Sequence, residues 1–180
     1  AENMLIKILK RAKELMLDGK QIYSTPSLSV FLKNNYLSSD FISQPQLLDN
    51  FAQLDDFEIS VCLKHWCNNN DFVLSNLSQR IVHRRLLKIK IQNTTFKPSK
   101  VTILLEKIQK KYKITKEEAK YFIFSDKVSN NTYNIEKSKI NILMKNGDVV
   151  DITTASDQFN IDALSKKVEK YFLCHPKSIF

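Results

Sequence analysis

The sequence predicts an α+β protein: an all-helical N-terminal part followed by a small α+β lobe of order β-α-β-β-β-α, with an antiparallel-rich sheet covered by helices. Three observations carry this. Apolar residues recur at helical spacing up to about His83. The period then changes, with Leu87, Ile89 and Ile91 alternating with Lys88 and Lys90. Finally, "KINILMKNGDVVDIT" reads as two strands about an Asn146-Gly147 type I′ turn. The division falls at residues 1–83 and 84–180.

The first helix carries Leu5, Ile8, Leu9, Ala12, Leu15 and Met16 on one stripe, with Lys7, Lys10, Arg11 and Glu14 outside it and Gly19 as its C-terminal cap. Thr25-Pro26 starts a second helix through Leu28, Phe31 and Leu32. Ser43 and Pro45 start a third, through Leu47, Leu48 and Phe51. Asp55 with Glu58 three residues on forms a capping box for the helix holding Ile59, Cys62, Leu63 and Trp66. Asp71 caps the next, carried by Leu74, Leu77 and Ile81.

Arg85 to Ile91 has the alternation of a half-buried strand, with Leu87, Ile89 and Ile91 turned inward. Pro98 begins a helix through Val101, Leu104, Leu105, Ile108 and Tyr112. Thr115 and Glu118 form a capping box for a short helical turn ahead of the β-rich "YFIFSDKV". After the hairpin, "NIDALSKKVEKYF" ends the chain as an amphipathic helix. The polar stretches "SSDF" and "VSNNTYN" are expected to be mobile loops.

Composition removes several functions. Two glycines in 180 residues leave no phosphate-cradling loop of the P-loop or dinucleotide type. No apolar run approaches a membrane span, and the odd set Cys62, Cys67 and Cys174 suits free thiols in a reducing cytoplasm. The chain starts without an initiator Met and inside a helical pattern, which points to function upstream of Ala1. The net charge of +9 is local, since residues 80–120 hold 13 Lys and Arg against 3 Asp and Glu. That concentration favours a polyanionic partner, against the alternative of a solvated Lys-rich face.

Catalytic patterns are missing. On a helix Cys62 and His65 share a face while Cys67 points elsewhere, so no metal site is expected there, and Asp55-Asp56 is explained by helix capping. His83 and His175 belong to no nucleophile motif. "HRRLLKIKI" differs, because cations at a helix-to-strand junction can present guanidinium and ammonium groups to phosphate oxygens. A merely polar strand face explains the same spacing.

"AENMLIKILKRAKEL", "FAQLDDFEISVCLKHW" and "LSNLSQRIVHRRLLKIKI" resemble the region downstream of the catalytic core in HD-domain phosphohydrolases of the deoxynucleoside-triphosphate triphosphohydrolase branch. The resemblance covers residues 1 to about 91, and weakly the hairpin and "VEKYF". It implies a metal-dependent enzyme whose divalent metal is held by a His, a His-Asp dipeptide and a later Asp. The three His here are followed by Trp66, Arg84 and Pro176, so the metal ligands are expected upstream, leaving no catalytic residue and no cofactor site in this chain. In animal members an Arg and a Lys four residues on, in an "RxLFK" segment, touch effector nucleotides between subunits. The resemblance carries that role to Arg84 and Lys88, with Leu87 replacing the Phe.

The resemblance thus implies a structural and oligomerisation region, binding a nucleotide effector such as dGTP or another dNTP and inactive alone. Its expected partners are the upstream HD catalytic domain and further copies in a homo-oligomer, in the cytoplasm and without a membrane. Leu5, Ile8, Leu9 and Leu15 are expected to expose an adhesive patch in the isolated chain. Two alternatives stand beside this reading: a nucleic-acid-binding module on the basic 80–120 segment, and a ligand-free protein-interaction lobe.

Overall fold

The computed structural model describes residues 1–130, 140–155 and 168–177. Six helices come first: α1 (Glu2–Leu17), α2 (Pro26–Lys33), α3 (Ser38–Ser43), α4 (Gln46–Ala52), α5 (Asp56–Trp66) and α6 (Phe72–Val82). Then follow β1 (Lys88–Gln92), α7 (Pro98–Tyr112), α8 (Lys116–Ala119), β2 (Phe124–Asn130), β3 (Asn141–Leu143), β4 (Val149–Asp151), α9 (Ile152–Ala155) and β5 (Val168–His175). The class is α+β with an N-terminal helical segment, as the patterning predicts. No described helix is long and apolar enough to cross a membrane.

Local chemistry sets most helix boundaries. Asp55 accepts from the Glu58 N–H at 2.8 Å and Asp71 from the Leu74 N–H at 2.8 Å, relieving donors that the first helical turn leaves unpaired. Thr115 and Glu118 close a reciprocal box, the Glu118 N–H reaching Thr115 Oγ1 and the Thr115 N–H reaching Glu118 Oε2. Pro26 and Pro98 open α2 and α7, where a missing N–H costs nothing. At the end of α1, Gly19 takes φ +78°, with Lys20 N–H on Leu15 C=O and Gly19 N–H on Met16 C=O.

Helix α1 lies on α2 and α6, and the fate of its stripe corrects the expected adhesive patch. Met4, Ile8, Ala12 and Leu15 are buried, and Leu5 and Leu9 are partly buried against the same core. The chain therefore covers this stripe itself. Trp66 is fully buried at the centre, its indole N–H donating to the Tyr23 carbonyl at 2.7 Å, which ties α5 to the segment between α1 and α2. One buried cluster runs from α1 through α5 and α6 to Leu104, Ile108, Phe122 and Leu173.

The three-stranded sheet has order β1-β5-β2, both pairings antiparallel. Residues 168–172 were expected in a terminal helix, and here the structure corrects the sequence. "VEKYF" begins the central strand, with Phe172, Leu173, Cys174 and His175 all buried. Its apolar run suits helix or strand alike, and the two neighbouring strands decide. Residues 160–167 of the expected helix lie outside the described residues.

The hairpin forms as expected, pairing Ile142 with Val150, but its turn is not type I′. Asn146 has an ordinary negative φ, Gly147 has φ +91°, and the Gly147 N–H bonds Met144 C=O. The loop is a turn over Lys145-Asn146 closed by a left-handed glycine, a longer solution to the same strand twist. "SSDF", expected as a loop, lies in α3, where Asp40 Oδ2 accepts from the Leu37 N–H at 2.6 Å. "VSNNTYN" starts in β2 and otherwise lies outside the described residues.

Candidate polyphosphate-binding site

The α6–β1 junction holds both predicted site residues. Helix α6 ends in the bonding pattern that ends α1: Arg85 N–H reaches Arg80 C=O at 2.8 Å and Arg84 N–H reaches Ile81 C=O at 3.1 Å. In α1 the left-handed position is Gly19, whereas in α6 it is Arg84, with φ +53°. An L-residue pays roughly 1 to 2 kcal/mol for that conformation. An arginine held there by its neighbours is the kind of strain that collects at functional positions.

The surroundings hold the junction firmly. Arg80 Nε donates to Asn76 Oδ1 at 2.8 Å, and its terminal nitrogens reach the Tyr112 hydroxyl at 3.0 Å and the Arg85 carbonyl at 3.4 Å, tying α6, α7 and the connection together. Leu86 and Leu87 pack against the core, and the Leu87 N–H approaches Met4 Sδ at 3.5 Å. From this braced backbone Arg84, Arg85 and Lys88 extend into solvent, and none joins an ion pair among the described residues. Lys88 opens β1 opposite His175. A cleft of about 730 Å³ lined by Lys20, Asn70, Tyr112 and Lys113, among others, does not include Arg84 or Lys88 in its walls.

The strand face differs from the expected one. Ile89 and Ile91, placed inward by the alternation, are 51% and 56% exposed, and it is Lys90 that is half-buried. The reason is where the strand starts. Leu86 and Leu87 both pack inward, so the alternation begins at Lys88, one residue after the count from Leu87 assumed.

Arg11, which the sequence placed outside the α1 stripe, grips Asp71 with two bonds: Nε to Oδ1 at 3.1 Å and a terminal nitrogen to Oδ2 at 2.7 Å. Glu14 and Glu118 lie at its flanks, and Tyr121 donates its hydroxyl to Glu14. Burial would raise the Asp71 carboxyl, but Arg11 and the Leu74 N–H outweigh it and hold it below the usual carboxylate range. Burial and the Glu14 carboxylate push the Tyr121 hydroxyl upward. Asp71 thus serves as both cap and ion-pair partner, and only the cap is visible in local spacing.

The described residues do not fit a divalent metal. His65 stacks on Tyr23 with ring centroids 3.8 Å apart, the Cys67 thiol donates to the Leu63 carbonyl at 3.3 Å, and Cys62 is buried. Burial raises both thiols, away from the thiolate a metal needs. His83 caps α6, and His175 is buried with Nδ1 2.9 Å from the Pro176 carbonyl. No group of three His, Cys, Asp or Glu side chains is assembled among the described residues.

No family model matches the chain, and no curated protein matches it. Among solved structures, the chain is similar to the crystal structure of a phosphohydrolase from Bacteroides thetaiotaomicron, with a TM-score of 0.82 and 38% identity over 97% of this chain. Buried core, strained arginine and sheet thus stand beside a relationship to a phosphohydrolase, of whose length the chain spans 43%.

Proposed function

We propose that this chain is the C-terminal, non-catalytic portion of a cytoplasmic, metal-dependent HD-family phosphohydrolase acting on nucleotides. The observation that carries the reading is the 38% identity to a phosphohydrolase across 97% of the chain, together with coverage of 43% of that protein. The metal-holding residues of such an enzyme are assigned, by the resemblance to HD-domain phosphohydrolases, to the remainder of the polypeptide. This portion supports assembly and binds an effector nucleotide. Arg84 and Lys88 contact its polyphosphate, and the support for that role is their exposed charge on a braced junction, in no ion pair among the described residues, and the cost of holding Arg84 left-handed.

The test is titration of dGTP and dATP at low salt. Binding is expected to be weak and salt-sensitive, with Arg84→Ala and Lys88→Ala each weakening it about tenfold, while Lys110→Ala and Lys111→Ala on α7 change little. Equal losses from all four variants would reduce the site to a diffuse basic surface. Duplex DNA binding far more tightly than nucleotide at the same salt would favour a nucleic-acid module instead.

A further inference from the structure

Helices α1, α6 and α7 end alike. In each, a left-handed residue is followed by an N–H that returns to the carbonyl five positions back: Lys20 to Leu15 at 2.9 Å, Arg85 to Arg80 at 2.8 Å and Ile114 to Gln109 at 3.3 Å. At α6 the residue that supplies this carbonyl also supplies a guanidinium. Arg80 accepts the Arg85 N–H through its backbone and donates to the Arg85 carbonyl through its side chain, at 3.4 Å. One residue therefore holds both backbone polar groups of Arg85.

The side-chain bond is long by itself, and its effect comes from how the guanidinium is fixed. Arg80 Nε donates to Asn76 Oδ1, one turn back on α6, at 2.8 Å, and the other terminal nitrogen donates to the Tyr112 hydroxyl at 3.0 Å. A planar fork engaged at two of its nitrogens has little freedom to swing. Tyr112 in turn packs its ring on Phe72 and on the fully buried Phe122, with centroids 5.3 and 5.4 Å away. The clamp on Arg85 is thereby anchored to the core.

The residue inside this clamp is Arg84. At φ +53° its Cα–Cβ bond turns away from the course it would take in a continuing helix, so the backbone angle sets where its guanidinium can reach. Relaxation to an ordinary helical φ would relieve strain and redirect the side chain, and the hold of Arg80 on Arg85 opposes that movement. Lys88 differs, because its direction follows from the pairing of β1 with β5, opposite His175.

We propose that Arg80, anchored by Asn76 and Tyr112, is a positioning residue that keeps Arg84 left-handed and its guanidinium aimed at a bound polyphosphate. The role rests on the effector reading of Arg84 and Lys88. Arranging the cation before the ligand arrives raises affinity, since that ordering is already complete in the free protein. Arg80 acts through Arg84 and leaves Lys88 alone.

Two cycles on the full chain test this. In thermal unfolding, Arg80→Ala should lower the midpoint less in the parent than in the Arg84→Gly chain, because opening the clamp releases strain that glycine never carried. Equal losses in the two backgrounds would overturn the proposal without reference to any ligand. In dGTP titration at low salt, Arg80→Ala should weaken binding about five- to tenfold in the parent and less than about twofold in the Arg84→Ala chain, while Lys88→Ala added to Arg80→Ala should still cost about tenfold. Arg80→Lys keeps the charge and loses the fork, so it should bind nearly as poorly as Arg80→Ala. Binding by Arg80→Lys equal to the parent, or full additivity of Arg80→Ala with Arg84→Ala, would reduce Arg80 to a general charge or a general stabiliser and overturn the assignment. If Arg80→Ala does not fold, Tyr112→Phe carries the same two cycles with smaller shifts of the same sign, since it removes the anchoring hydroxyl and keeps the ring. A parent chain that binds no dGTP would overturn the effector reading and the positioning role with it, whereas a parent that binds with an additive thermal cycle overturns the clamp alone.

Discussion

Replacing Arg84 with glycine should stabilise the protein while removing a charge assigned to ligand binding. The left-handed conformation at φ +53° costs an arginine roughly 1 to 2 kcal/mol, whereas glycine adopts it freely. Against that gain, glycine adds about 0.5 to 1 kcal/mol of backbone entropy to the unfolded chain. No described ion pair of Arg84 is lost, so the net is a gain of about 0.5 to 1 kcal/mol. For a chain of this size that raises Tm by about 1 to 4 °C. Two controls share the geometry. Lys113, at φ +53° after α7, should gain similarly as Lys113→Gly, and Gly19→Ala should lose about 1 kcal/mol by backbone strain alone, because a Cβ there meets no atom within 4 Å. Thermal and urea unfolding measure all three. If Arg84→Gly is neutral or destabilising while Lys113→Gly stabilises, the arginine side chain contributes to the fold and the strain argument fails. If both glycine variants stabilise and only Arg84→Gly loses nucleotide affinity, the strain is retained for binding.

Two further outcomes follow from the core and its ion network. Ile8→Ala should cost about 3 kcal/mol in chemical unfolding, since Ile8 is fully buried, whereas an exposed stripe on α1 would make the change nearly neutral. Asp71→Ala should cost on the order of 3 kcal/mol by stranding Arg11 and uncapping α6. Because the folded Asp71 carboxyl titrates below its ordinary value of 3.8, its contribution is complete above about pH 4 and disappears as pH falls through the folded value. Acid unfolding of Asp71→Asn should therefore show a smaller loss of stability below pH 4 than the parent, and an unchanged acid limb would refute the assignment.

What the sequence by itself determined lies mostly within four residues along the chain. Asp55, Asp71, and Thr115 with Glu118 mark helix starts because a side-chain oxygen meets an N–H three positions on, whatever the tertiary surroundings. Pro26, Pro98 and the Asn146-Gly147 hairpin are local in the same way, although the exact turn was not. The candidate site was legible as two cations at a period change. Its left-handed Arg84 was not, because the position resembles any helix end until the bonds from Arg84 and Arg85 are seen. Tertiary structure decided the rest. Val168–His175 became a central strand only because β1 and β2, far away in sequence, flank it on both sides. Likewise, the outward turn of Ile89 and Ile91 depends on where pairing with β5 begins, and the burial of the α1 stripe depends on α2 and α6 arriving beside it. Long-range pairing and packing choose between conformations that local spacing leaves nearly equal in energy, so these features appear only when the whole chain is assembled.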